Sequence, residues 1–158
     1  MKPLFSVIIP TYESGKSLPL ALIDTDKFLR ESGFEYEIIV ADAKSADQTA
    51  DIVRRFSALI RNLDLVSGET IGHRGKALQT AVQISSGESF IVVDPKTMKI
   101  GEILSKMSSA FMSDKAKIFD VFLPEGAKNK NRLAESLLEI KRGDLFFGDA
   151  GFRRGCGN

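Results

Sequence analysis

The sequence predicts an α/β fold: a three-layer, open, mostly parallel sheet flanked by helices. Two observations predict it. Short β-branched runs alternate along the chain with longer segments of helical period, and strands joined through helices of ten or so residues pair in parallel by right-handed crossovers. The strand-like runs are also nearly continuous in apolar character, as strands buried on both faces are.

The elements follow in order. Phe5 to Ile9 reads as the first strand, and Leu18 to Leu29 as a helix with Ser17 at its N-cap and Pro19 in its first turn. Tyr36 to Ala41 is a second buried strand. Ala46 to Leu59 reads as a second helix, with Ala50, Ile52, Val53, Phe56, Leu59 and Ile60 at helical spacing. Asp47 and Gln48 suit the positive end of that helix. Leu63 to Val66 is a short third strand, and Ala77, Leu78, Ala81 and Val82 mark one face of a third helix. Ser89 to Val93 is a fourth strand between Ser86-Gly87 and Pro95. A fourth helix around Ile103 to Phe111, a fifth strand at Ile118 to Leu123 and a fifth helix at Leu133 to Ile140 complete the pattern. Arg142 to Asn158 has no clear period and reads as a functional loop or a tail.

With 158 residues the chain is expected to be one domain, 1–158. Its 43% apolar and 27% charged residues are ordinary for a soluble protein, and a net charge of +1 gives no field for nucleic acid. The single cysteine, Cys156, cannot close an internal disulfide, which fits a reducing compartment, with cytoplasm the expectation. No apolar run approaches the roughly 20 residues of a transmembrane helix. Peripheral membrane contact and oligomerisation stay open.

In open α/β sheets ligands bind beyond the carboxyl ends of the strands. Those positions hold Pro10, Thr11, Tyr12 and Glu13 after the first strand and Asp42 to Asp47 after the second. The third is followed by Gly68 to Lys76, with His73, Arg74 and Lys76, and the fourth by Asp94-Pro95-Lys96. A ring for stacking, carboxylates for base or ribose and cations for phosphate are what a nucleotide needs. A dinucleotide fingerprint is excluded, because Gly15 is the only glycine between Thr11 and Ser17. A P-loop is excluded too: Thr70 and Ala77 stand where the motif around Gly75-Lys76 needs a glycine and a Ser or Thr.

Three blocks carry a family resemblance. Phe5 to Tyr12 resembles the opening strand of the family 2 glycosyltransferases, which have the GT-A fold. Glu37 to Thr49 matches their V-D-D-G-S-x-D-x-T block through Asp42, Ser45, Asp47 and Thr49. Gly75 to Leu78 and Gly87 to Asp94 match the approach to their D-x-D motif. The flavour is similar to the dolichyl and polyprenyl-phosphate mannosyltransferase group, whose G-F-R-like segment has a shortened echo in Asp149 to Arg153.

The resemblance implies a nucleotide-sugar-binding half, 1–98, and a shortened acceptor half and tail, 99–158. It implies that Pro10, Thr11, Tyr12 and Glu13 line the nucleotide, with Tyr12 against the base. Asp42 would reach base or ribose, with Ala43 in place of a second aspartate. Arg74 and Lys76 would face the diphosphate, and Asp47 would serve its own helix. His73 is read as solvated. The implied Mg²⁺ or Mn²⁺ site departs from the family pattern: Asp94 keeps the first place, Lys96 replaces the second carboxylate and Met98 the glutamine. Three readings stay open: Lys96 itself neutralises the diphosphate, another oxygen such as that of Asp149 completes a metal site, or the site is inactive. The implied reaction is inverting transfer of a sugar from a nucleotide-diphosphate sugar to a polyprenyl phosphate or saccharide. Asp149 would be the base for a hydroxyl acceptor, and Arg153 and Arg154 the partners of a phosphate. The alternative is a catalytically silent domain that binds a nucleotide or a protein; a nucleotidyltransferase ranks last.

Overall fold

The first strand, β1 (Phe5–Thr11), is buried at every position. It pairs in parallel with β2 (Tyr36–Asp42) from Phe5↔Tyr36 to Thr11↔Asp42, and with β4 (Ser89–Val92) from Phe5↔Ser89 to Ile8↔Val92. β3 (Leu63–Ser67) adds to the far side of β2, again in parallel. The computed structural model describes residues 3–87, 89–96, 100–102, 104–105, 145–148 and 151–154.

The strands need cover on both faces because their side chains are apolar on both. Phe5, Val7 and Ile9 point to one side, where they pack with Ile38 and Val40, with Leu18, Leu22 and Leu29 of α1 (Leu18–Ser32) and with Val53 of α2 (Thr49–Ser57). Ile8, Ile39 and Ala41 point to the other side, onto Ala77, Leu78, Ala81 and Val82 of α3 (Arg74–Ile84). Each fully buried Leu, Ile or Phe contributes about 1.5–3 kcal/mol. The three layers expected from the sequence are therefore present. Residues 100–102 and 104–105 are helical, and Ile100 and Leu104 join the α1 and α2 side.

Several boundaries differ from expectation for physical reasons. α1 runs one turn past Leu29, through Arg30, Glu31 and Ser32, which carry no apolar signal, and stops at Gly33, whose φ of 73° is left-handed. Ser17 stands at the N-cap, but its hydroxyl turns back to the Ser14 carbonyl and makes no cap bond. α2 starts at Thr49, three residues later than expected, because the Asp47 carboxylate takes the Thr49 N–H. β1 runs on through Pro10. The Ile8 carbonyl faces β4, where it accepts from Val93 N, so Pro10 faces the same way, beyond the last β1–β4 pair, and its missing N–H breaks no ladder bond.

The end of the chain, expected to be a loop or tail, contains β5 (Leu145–Gly148) and β6 (Gly151–Arg154). They pair antiparallel, and β6 also pairs antiparallel with β4, giving a six-stranded sheet in the order β3-β2-β1-β4-β6-β5. The expected fifth strand and fifth helix, and most of the fourth helix, fall outside the described residues.

Two polar clusters brace the sheet away from its carboxyl ends. The Glu37 carboxylate accepts from Ser6 Oγ, from Ser86 N at 2.6 Å and Oγ at 3.1 Å, and from Gly87 N at 3.3 Å. A Cβ on Gly87 would meet Ser6 N at 2.7 Å and the Phe5 carbonyl carbon at 2.9 Å, so only glycine fits where the chain enters β4. Tyr36 Oη donates to Asp26 Oδ1 at 2.8 Å, joining β2 to α1. Burial, and then that bond to a carboxylate, push the phenol up from 10.0 to about 12.

Candidate functional site

The strand ladder does not stop at the carboxyl ends. Ala43 N donates to the Thr11 carbonyl at 2.8 Å, Gly68 N to the Asp42 carbonyl at 2.7 Å and Gly72 N to the Ala43 carbonyl at 2.8 Å. The first three loops are thus held edge to edge. Three of their residues have left-handed backbones: Glu13 (φ 52°), Lys44 (φ 58°) and Gly72 (φ 70°).

Side chains complete the lacing. Asp42 is 2% exposed; its Oδ1 accepts from Thr11 Oγ1 at 2.9 Å and from Ser45 Oγ, and its Oδ2 from Ser45 N at 2.9 Å. The expected base or ribose ligand is therefore engaged by protein donors, the Thr11 hydroxyl among them. Glu13 gives its N–H to Ser45 Oγ at 2.9 Å, and its carboxylate takes the Ala46 N–H at 2.6 Å. Asp47 accepts from the Thr49 N–H and hydroxyl on one oxygen and from the Gly15 N–H at 3.0 Å on the other. Partial burial works against its charge, but those three donors outweigh burial and hold the carboxyl below its ordinary range. The expected helix-start role of Asp47 is present, and it also ties the first loop to the second.

The Tyr12 ring, 38% exposed, lies over Gly72: a Cβ built there would be 3.5 Å from the ring. That spacing is ordinary contact; what favours glycine at 72 is its left-handed φ of 70°. His73, expected to be only solvated, caps α3, its Nδ1 accepting from Lys76 N at 3.3 Å. Arg74 reaches across to Asp94, NH1 to Oδ2 at 3.7 Å, and the other oxygen of Asp94 accepts from Lys96 N at 2.8 Å. Asp94 is 4% exposed, whereas Lys76 and Lys96 are exposed.

The structure thus brings together Pro10, Thr11, Tyr12, Glu13, Asp42, Arg74, Lys76, Asp94 and Lys96 at one end of the sheet. Arg153 is elsewhere in the register: it pairs with Ser89, at the amino end of β4, with Arg154 next to it. Asp149, between β5 and β6, lies outside the described residues. Sequence reasoning placed Ser45 in the matching block but gave it no role; it is the hub between Asp42 and Glu13, and its spacing three residues after an aspartate is a turn signal.

The donor set around Asp94 does not fit a divalent cation. Such an ion needs several hard oxygens, and here a buried carboxylate has a guanidinium on one oxygen and a lysine beside it. Among the described residues no three His, Cys, Asp or Glu side chains cluster for a metal.

The sequence profile described as "Glycosyl transferase family 2" matches residues 6–143. The chain belongs to that family. A dolichyl-phosphate beta-glucosyltransferase of Dictyostelium discoideum is 35% identical over 99 residues, covering 56% of this chain and 29% of that protein. Staphylococcus aureus TarS (1-349), solved in complex with UDP-GlcNAc, superposes with a TM-score of 0.60 at 28% identity, over 79% of this family 2 chain and 36% of that one. The mannosyltransferase PcManGT of Pyrobaculum calidifontis, solved with GDP-Man and Mn²⁺, gives a TM-score of 0.60 at 24% identity over 85% and 40%. The fold is the GT-A type expected from the resemblance. The first three curated relatives are matched over only 29–30% of their length. No helix among the described residues is long and apolar enough to cross a membrane.

Proposed function

We propose that this family 2 domain binds a nucleotide-diphosphate sugar at the carboxyl ends of β1 to β4 and serves its transfer to a polyprenyl phosphate or saccharide. The observation that carries the reading is the laced set of loops that presents an open Tyr12 ring on Gly72 beside Arg74 and Lys76. Tyr12 stacks on the base. Pro10, Thr11, Glu13, Ser45 and Asp42 fix the floor beneath it, and the cations face the diphosphate. The UDP-GlcNAc bound to TarS supports a nucleotide-sugar donor. The dolichyl-phosphate relatives favour a lipid phosphate as acceptor.

In the transfer, an acceptor oxygen bonds to the anomeric carbon from the face opposite the diphosphate, and the carbon–oxygen bond to the diphosphate breaks. The nucleoside diphosphate leaves with the electron pair, and the centre inverts. A phosphate acceptor is already an anion and needs no base. A hydroxyl acceptor passes its proton to Asp149.

Calorimetric titration with UDP- and GDP-sugars tests the binding step. At least one should bind, and Tyr12→Ala should weaken it about tenfold, the worth of one base–aromatic stack. Absence of binding by every nucleotide would overturn the reading. On the acceptor side, Asp149→Asn should abolish transfer to an alcohol and spare transfer to a phosphate. Equal activity of variant and parent on alcohols would remove Asp149 as the base.

A further inference from the structure

We infer that this chain neutralises the donor's diphosphate with its own cations, Lys96 and the Arg74–Asp94 pair, where a divalent ion would otherwise be needed. The inference rests on the donor-binding reading above. Its first support is the engagement of the carboxylates at the strand ends. Glu13 is held by Ala46 N, Asp42 by Thr11 and Ser45, Asp47 by Thr49 and Gly15, and Asp94 by Arg74 and Lys96 N. Glu69, exposed on the third loop, is the remaining carboxylate of these loops. A hard cation prefers about six oxygen ligands in near-octahedral geometry if it is Mg²⁺, and to reach Asp94 it would have to displace the Arg74 guanidinium.

Charge gives the second support. Asp94, Arg74 and Lys96 together carry one net positive charge, and exposed Lys76 on the first turn of α3 adds another. A divalent ion placed there would meet like charge on three side chains, whereas a diphosphate meets opposite charge. Asp94 then has a different task from metal binding: it is a positioning residue that holds Arg74 by its 3.7 Å contact. Lys96 is fixed through its backbone, since its N–H is bonded to Asp94 Oδ1, while its side chain stays exposed.

The test is titration of UDP and GDP into the parent protein, Lys96→Gln and Lys96→Asp, each in EDTA and in Mn²⁺, with Mn²⁺ binding followed separately by electron paramagnetic resonance. The parent should bind nucleotide equally well in both buffers and bind no Mn²⁺ of its own. Lys96→Gln should lose about tenfold in EDTA, the scale of one charge-assisted contact, with no recovery in Mn²⁺. Lys96→Asp should lose at least as much in EDTA and recover in Mn²⁺, because it supplies the missing second carboxylate. Lys96 is exposed, so unchanged thermal unfolding without ligand is expected of both variants. Parent binding that requires Mn²⁺ overturns the inference and leaves the donor-binding reading standing, as does unchanged affinity of both variants in EDTA. Failure of the parent to bind nucleotide in either buffer overturns both.

Discussion

Asp47 takes hydrogen bonds from Gly15 in one loop and from Thr49 at the start of α2, and its carboxyl is held below the ordinary range. A carboxyl with a depressed folded value contributes stability that is present above the unfolded value and is lost as pH falls through the folded one. Asp47→Ala should cost about 1 kcal/mol near neutrality, the scale of a side-chain bond to the first N–H of a helix. Urea unfolding should show the gap between variant and parent closing below about pH 4, the range in which a free aspartate protonates. A gap that persists unchanged in acid would mean that the carboxylate charge contributes nothing. At this scale the sequence was only half legible. The residue types at the strand ends could be read directly, but not their partners. Thr11 meets Asp42 from 31 positions away, Gly15 meets Asp47 from 32 and Glu13 meets Ala46 from 33. Such pairings depend on the β1–β2 register, which no local window contains.

Among the elements, β4 enters the sheet through Gly87, wedged against Ser6 and Phe5 and bonded to Ser6 Oγ at 2.9 Å. Gly87→Ala should lower stability by about 1–3 kcal/mol, as an overpacked site does. The urea midpoint should fall, while nucleotide affinity at the opposite end of the strands is unaffected; an unchanged midpoint would show that the backbone yields there at no cost. The β1 to β4 strands and the three described helices were legible because each carries its period in its own residues, as Ala77, Leu78, Ala81 and Val82 do for α3. β5 and β6 were not. Each is four residues long, and glycines at Gly148 and Gly151 dilute their β character. The signal left was the close spacing of two short apolar segments, with two residues between Gly148 and Gly151, which is a hairpin spacing.

For the whole molecule, three-layer architecture follows from strands apolar on both sides, and that much is written in Phe5 to Ile9 and Ile38 to Ala41. What the sequence left open was how Asp94 and Lys96 would settle, because the answer depends on Arg74 crossing from a different strand end. The lacing of the loops has a thermodynamic consequence of its own. Ala43, Gly68 and Gly72 give their N–H groups to neighbouring strands or loops, and the Asp42, Glu13 and Asp47 carboxylates pin the turns between. A ligand arriving at this face finds the backbone already ordered, so little of its binding energy goes into freezing loops. Discrimination between one nucleotide and another should then appear in how slowly each departs, with arrival rates nearly alike.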